Sequence, residues 1–287
     1  MPGWHFGAIG TQWTIDTIDP LDASIKTMIS ERIDEFDRVY SRFREDSVVT
    51  ALSKEAQTVV LPDDAVNLFA LYQKLYEATG GALSPLVGDT LNHLGYDASY
   101  RLRSLPGPAG PTPAFDDVVS LEGTTLTTYR PVTIDVGAVG KGYLVDIVAE
   151  LLDDSGVTDY TVDASGDLRH RGHTPERVGL ENPRDPDHVV GVAEVSNRAL
   201  AASATNRRTW GDGLHHIVDA LTGLPTRSIE ATFVLSDTAA MADGLATALF
   251  VGSPEHLQRV GQFDWVIMSS DGSLRASPNF PGEVFSS

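Results

Sequence analysis

The stretch Asp135-Val136-Gly137-Ala138-Val139-Gly140-Lys141-Gly142-Tyr143 concentrates residue types that handle phosphate. An acidic side chain precedes three glycines that let the backbone turn tightly, and the apolar period beyond them predicts a helix over about Val139–Leu152 that carries Asp146. A helix N-terminus at that point presents backbone N–H groups and the positive end of the helix dipole, which suits an anion, and Lys141 adds a point charge. The spacing is not that of a P-loop: only Ala138 and Val139 separate the glycines, and Gly142 stands where the Ser or Thr hydroxyl is needed. The dinucleotide fingerprint G-x-G-x-x-G does not fit either. A glycine-rich turn into a helix also serves purely structural ends, so this stretch alone leaves both readings open.

Two further constellations bear on chemistry. A helix expected over about Thr238–Phe250 carries Asp243 and Thr247 four residues apart, so carboxylate and hydroxyl share one face among small apolar neighbours. A buried carboxylate must be paired or bound to a cation. The alternative is an exposed Asp beside a Thr bonded back to its own helix. His215-His216-Ile217-Val218-Asp219, followed by Leu221-Thr222-Gly223-Leu224-Pro225, offers either a His/Asp acid–base pair or surface residues entering a turn. Ser203 and Thr205 before Arg207-Arg208 form a polar stretch that fits a phosphate or plain solvent. No G-x-S-x-G elbow and no H-E-x-x-H occurs, which sets aside serine hydrolases of that type and zincins.

Composition narrows the chemistry. With 287 residues of which 41% are hydrophobic, the chain is long enough to bury a full core. It has no cysteine, so disulfides, thiolate metal sites and a Cys nucleophile are excluded. A metal must then be held by oxygen or imidazole, which favours Mg²⁺, Ca²⁺ or Mn²⁺ over structural zinc. A net charge of −19 opposes binding to nucleic acid. No apolar run reaches the roughly 20 residues of a membrane helix. The sequence shows neither a signal core nor a lipobox, and a cytoplasmic location is the expectation.

The elements that must position these residues follow from period. Trp13 and Ile15 alternate with polar neighbours in a strand within Trp4–Ile18, preceded by breaks at Gly7 and Gly10. A helix follows with Ile25, Met28, Ile29, Ile33, Phe36, Val39 and Tyr40 on one stripe, ending near Ser41-Arg42-Phe43. A second starts at Pro62, sets Val66, Phe69, Leu71, Tyr72, Leu75 and Tyr76 inward, and stops at Gly80-Gly81. Residues 103–114, rich in Pro and Gly, read as a surface loop. Strands are expected at Val118–Leu121, Thr125–Tyr129, Val132–Val136, Tyr160–Asp163 and Val189–Val195, with a hairpin at Asp271-Gly272 between Trp265–Met268 and Leu274–Ala276. The pattern is α+β: antiparallel sheets with packed helices.

In this order, these pieces resemble the ApbE family, the FAD:protein FMN transferases. Ile9-Gly10-Thr11 resembles the family's Met-Gly-Thr, and Ser41-Arg42-Phe43 with Asp46-Ser47 its Ser-Arg-Phe…Asp-Ser. Gly80-Gly81-Ala82-Leu83-Ser84-Pro85 resembles Gly-Gly-Ala-Phe-Asp-Pro, and Asp135 to Tyr143 the Asp-Leu-Gly-Gly-Ile-Gly-Lys-Gly-Tyr stretch. His216-Ile217-Val218-Asp219 resembles His-Ile-Ile-Asp-Pro, and Ala242 to Ala248 the Ala-Asp-Ala-Leu-Ala-Thr-Ala helix.

The resemblance implies one FMN-transferase domain over residues 1–287, with two related β/α halves around one flavin site. It implies Mg²⁺ held by the Ala138 carbonyl, the Asp243 carboxylate, the Thr247 hydroxyl and the Ala246 carbonyl. It assigns FAD contacts to Ile9, Phe43, Ala82, Leu83, Ser84, Asp135, Lys141 and Ile217. The implied reaction moves FMN from FAD to a Thr or Ser hydroxyl of an acceptor flavoprotein and releases AMP, with His216 taking the proton and Asp219 orienting it. An Mg²⁺-dependent FAD pyrophosphatase and a non-catalytic FAD carrier are the alternatives. Ile9 stands in place of Met, Ser84 of Asp, Ala204 of Gly and Ala220 of Pro; the last two are expected to loosen the loop after His216.

Overall fold

Side chains alternating with a two-residue period build an eight-stranded sheet from β1 (Gly3–Ala8), β2 (Thr11–Thr17), β3 (Tyr160–Asp163), β4 (Asp167–Arg171), β5 (Ala199–Ala204), β6 (Ile229–Ser236), β7 (Asp264–Ser269) and β8 (Leu274–Ala276). The computed structural model describes residues 3–285. Spatial order equals chain order and every neighbouring pair is antiparallel. The sheet is therefore one meander, and its connections carry the helices and the loops of the site. Between β2 and β3 lie α1 (Ala23–Tyr40), α2 (Asp64–Ala78) and α3 (Gly140–Asp154); between β6 and β7 lies α4 (Ala239–Ala248). Among the described residues no helix is long and apolar enough to cross a membrane.

The two faces of the sheet bury different cores. Ala199, Ala201 and Val234 point to the helices and join Ile29, Phe36, Leu68, Leu144, Leu245 and their neighbours. Leu200, Phe233 and Leu235, one residue out of phase, point the other way. There they pack on a three-stranded sheet that contributes Leu180, Val190, Ala193 and Val195. The result is a mixed α+β fold with antiparallel sheets.

Helix α4 is wedged against α3. A Cβ built on Gly142 would lie 2.2 Å from the Ala239 carbonyl oxygen and 2.7 Å from Asp243 Cβ, so only glycine allows the two helices to approach this closely. Asp146 of α3 caps the start of α4 by accepting hydrogen bonds from the Ala239 and Ala240 N–H groups at 2.9 and 2.8 Å, and it pairs with Arg169 at 2.6 Å. Thr238 adds its own cap to the Met241 N–H at 3.2 Å.

Several expectations are revised. The N-terminal region holds a hairpin of β1 and β2 in place of one strand. Its turn residues Ile9 and Gly10 have φ of 45° and 76°, the primed-turn geometry that glycine accepts readily and a β-branched residue resists. Val132–Val136 is largely buried but joins no sheet: the Val132 N–H donates to the Leu52 carbonyl at the end of a short helix (Val48–Leu52) and the Asp135 N–H to the Pro85 carbonyl in a turn, so alternation alone misread it. In α2 the buried set Ala65, Leu68, Phe69, Tyr72 and Leu75 follows the helical repeat and leaves Val66 facing solvent; in α1, Met28 is similarly exposed. The β7–β8 hairpin forms, with its connection spanning residues 270–273 because Asp271 Oδ1 takes the Ser273 N–H at 2.9 Å.

Candidate active site

A cavity of about 910 Å³ opens where the β1–β2 turn, the end of α1, residues 82–84, the turn into α3, strands β4 and β5, the loop after β5 and helix α4 converge. One wall is aromatic. Tyr96 stacks on Trp210 at 5.6 Å between centroids, and Phe43 stacks on Tyr100 at 5.4 Å. The Arg42 guanidinium lies 4.2 Å from the Phe43 ring centroid and 5.0 Å from that of Tyr96.

Arg42 is also the partner of Asp135. Its Nε donates to Asp135 Oδ2 and its Nη1 to Asn92 Oδ1 at 3.1 Å, while Nη2 is buried without a partner among the described residues. Burial alone would raise the Asp135 pKa, but the Arg42 charge and the Gly137 N–H, which donates at 2.7 Å, hold it below the usual carboxylate range. Asp135 is therefore ionised and clamps the glycine turn. Tyr72 secures the same turn from below, its hydroxyl accepting from the Ala138 N–H at 3.2 Å.

The same cavity holds an acidic recess. The Asp243 carboxylate is buried and accepts from the Gly142 N–H at 3.0 Å. It lies within hydrogen-bonding reach of the Asp167 carboxylate, which is 1% exposed. Burial first, and then the Asp167 charge, push the Asp243 pKa well above the carboxylate range; burial likewise raises Asp167, against the pull of Lys141. The Lys141 ammonium sits 2.7 Å from Asp167 Oδ2 and donates to the Ala164 carbonyl at 3.0 Å. Thr247, one turn beyond Asp243, places Oγ1 3.4 Å from Ser203 Oγ.

His216 lies against Tyr96, with ring centroids 6.4 Å apart, and its Nδ1 is buried without a partner among the described residues. Burial, then the positive charges of Arg208 and His215, lower its pKa to about 3, so the imidazole is neutral at pH 7. The Arg208 guanidinium stands 5.8 Å from the Tyr96 ring centroid. His215 points elsewhere: it is buried, with Nε2 2.7 Å from the Thr226 carbonyl and Nδ1 accepting the Ile217 N–H at 3.3 Å.

Residues 9–264 match the model of the ApbE family. The chain belongs to the ApbE family. A Klebsiella pneumoniae protein named FAD:protein FMN transferase is 26% identical over 275 residues, covering 88% of this chain and 79% of that protein. A Vibrio cholerae protein of the same name is 28% identical over 262 residues, covering 83% and 76%. The crystal structure of the ApbE protein from Thermotoga maritima superposes with a TM-score of 0.84 at 25% identity, covering 98% of this chain and 99% of that one.

Against the ApbE resemblance, all eight residues assigned flavin contacts, from Ile9 to Ile217, line the one cavity, as do His216, Ala138, Asp243 and Thr247. Ala246 does not line it, and its carbonyl accepts the Thr232 hydroxyl at 2.7 Å. Asp219 does not line it either. Its Oδ1 accepts the Leu221 and Thr222 N–H groups at 2.8 and 3.4 Å, closing an Asx turn, so the orienting bond expected from it to His216 is not formed. Ala220 also departs from expectation. Its N–H donates to the Ala82 carbonyl at 2.9 Å and its carbonyl accepts the Thr112 N–H at 2.7 Å, so alanine here ties the His216 loop to residues 82 and 112 through a donor proline lacks.

Arg42, Tyr96, Arg208 and Asp167 line the cavity without having been assigned a role by sequence. Arg42 had a signal in Ser-Arg-Phe, and Arg208 in the polar stretch after Ser203. Asp167 and Tyr96 had none, because only the folded chain brings them to the cavity.

Proposed function

We propose that this enzyme transfers the FMN half of FAD to a threonine or serine hydroxyl of an acceptor flavoprotein and releases AMP, with Mg²⁺ as its metal. The observation that carries this reading is the joining, in one cavity, of an aromatic wall, two guanidinium groups and a buried carboxylate with a hydroxyl one turn away, in a chain whose relatives are named FAD:protein FMN transferase. A dinucleotide needs each of these: flat surfaces for its rings, cations for its pyrophosphate, and oxygen donors for a metal on that pyrophosphate.

The donor set fits Mg²⁺. No cluster of three or more His, Asp or Glu side chains able to hold a metal occurs among the described residues. Magnesium does not need one, because it binds through one or two carboxylates together with substrate phosphates and waters. Asp243, Thr247 and the Ala138 carbonyl would hold it, all through oxygen. With both carboxylates ionised the acidic recess would carry one negative charge more than the single ammonium of Lys141 balances, which a cation would offset. When bound, the metal supplies neutralisation of charge on the transferring phosphoryl group.

The chain's own residues supply position and proton handling. Arg42 Nη2 and the Arg208 guanidinium are donors for the pyrophosphate. The acceptor oxygen bonds to the riboflavin-side phosphorus as the bridging P–O bond breaks, and AMP leaves with that electron pair. The hydroxyl proton passes to His216, whose imidazole is neutral beforehand. Anionic pyrophosphate beside His216 and Arg208 favours the imidazolium and so raises the low pKa of the ligand-free site when it is needed. The test is AMP release with FAD and Mg²⁺, with and without a candidate acceptor. Acceptor-dependent AMP supports transfer, and AMP with free FMN in its absence identifies a pyrophosphatase instead.

A further inference from the structure

Asp167 is a buried acidic group on the cavity wall that the reaction as described does not use. It opens β4 immediately after the turn at Ser165-Gly166, and its backbone is held on both sides. The Ala164 N–H donates to its carbonyl at 2.9 Å, and Ala201 of β5 stands opposite it in the ladder. The side chain is 1% exposed, yet Oδ2 accepts no aligned hydrogen bond. What it has is the Lys141 ammonium at 2.7 Å in an ion pair and the Asp243 carboxylate beside it. Two ionised carboxylates in contact repel, and with both ionised one ammonium would leave the group a charge short of neutral. Thr247 and Ser203, 3.4 Å apart, extend the run of oxygens next to them.

We propose that Asp167 is a second carboxylate ligand of the divalent cation held by Asp243 and Thr247, with Lys141 as its counter-charge. This rests on the reading of Asp243 and Thr247 as metal ligands. Two carboxylates with hydroxyl and carbonyl oxygens make a hard-oxygen set, suited to Mg²⁺ or Mn²⁺. The placement also explains the position of Lys141: bonded to the Ala164 carbonyl, the ammonium balances part of the charge that Asp167 brings into the interior. A role confined to anchoring Lys141 would need no contact between Asp167 and Asp243.

The test is calorimetric titration of the full, FAD-free chain with Mn²⁺ and with Mg²⁺. Asp167→Asn keeps the shape and removes the charge; its Kd for Mn²⁺ is expected to rise by about tenfold or more, within the range for disturbed metal sites. Lys141→Met is expected to act in the opposite sense and tighten Mn²⁺ binding, because it removes a positive charge from beside the cation. The two variants thus give opposite shifts, and Lys141→Met carries the test if Asp167→Asn fails to fold by circular dichroism. Unchanged Mn²⁺ affinity in folded Asp167→Asn, weaker binding in Lys141→Met, or wild-type protein that binds neither ion would overturn the proposal. Failure of the flavin-transfer reading looks different: ions bind as described while an acceptor incubated with FAD stays unmodified.

Discussion

The Asp243 carboxylate accepts a hydrogen bond from the Gly142 N–H at 3.0 Å, which joins the first turn of α3 to the helix that carries the acidic recess. The two residues lie 101 positions apart in sequence, and the bond exists because glycine lets α3 and α4 approach so closely. Gly142 therefore serves helix packing, and its N–H in the first turn of α3 is spent on a carboxylate of the protein.

Gly142→Ala is the direct test of that contact. Its methyl group would meet the Ala239 carbonyl at 2.2 Å, backbone that cannot simply rotate away. The variant is expected to lose about 1–3 kcal/mol of stability as α4 shifts. Thermal denaturation reads this loss, and a midpoint equal to wild type would show that the helices have room to spare.

Histidines 215 and 216 should separate by phenotype. His215→Asn removes a buried partner of the Thr226 carbonyl and is expected to cost about 1–3 kcal/mol of stability, with activity per folded molecule retained. His216→Asn is expected to keep FAD binding and lose transfer by about 10²- to 10⁴-fold, the usual scale for removing a general base. Parallel assays of FAD affinity and AMP release on both variants decide this, and equal activity losses would argue for a shaping role only.

The low pKa of His216 also has a signature in stability against pH. An unfolded histidine titrates near 6.5, whereas His216 in the folded protein titrates at about 3. Between those values the unfolded chain binds a proton that the folded chain does not. The contribution is thus fully present above about pH 6.5 and is lost as the pH falls toward 3. Denaturation midpoints measured from pH 7 to pH 4 should fall more steeply for wild type than for His216→Asn. Parallel curves would mean that the imidazole is solvated.

Arg208 is expected to govern ligand affinity. Its guanidinium stands by the Tyr96 ring and His216 with no acidic partner among the described residues, while Arg42 and Lys141 are both ion-paired. Arg208→Gln should weaken FAD binding by about 10- to 100-fold, the equivalent of one charged hydrogen bond, and flatten its dependence on salt. Fluorescence titration at two ionic strengths reads both, and an unchanged affinity would remove Arg208 from the phosphate site.

What was legible in sequence and what was not divides along physical lines. The α4 face was legible because i, i+4 spacing fixes the relation of Asp243 to Thr247 whatever the rest of the fold does. Asp219 was misread because nearness in sequence to His216 suggested a pair, whereas Asp-Ala-Leu-Thr-Gly is a turn signal, and the carboxylate is spent on that turn. The link from Arg42 to Asp135 spans 93 residues and that from Asp243 to Gly142 spans 101. Asp167 is tied to the site by contacts of the same kind, which only folding brings about. Val132–Val136 alternates like a strand yet bonds to a helix end and a turn, since period reports which side chains are buried and not what the backbone bonds to.

The measurement closest to the central claim is intact-mass and peptide analysis of a candidate acceptor flavoprotein after incubation with FAD, Mg²⁺ and this protein. Asp243→Ala runs beside wild type, with a folding control because that residue is buried. The account predicts that wild type adds one FMN to a threonine or serine hydroxyl with stoichiometric AMP, and that Asp243→Ala adds none. Modification by Asp243→Ala at the wild-type rate, or AMP and free FMN with the acceptor left unchanged, would contradict it.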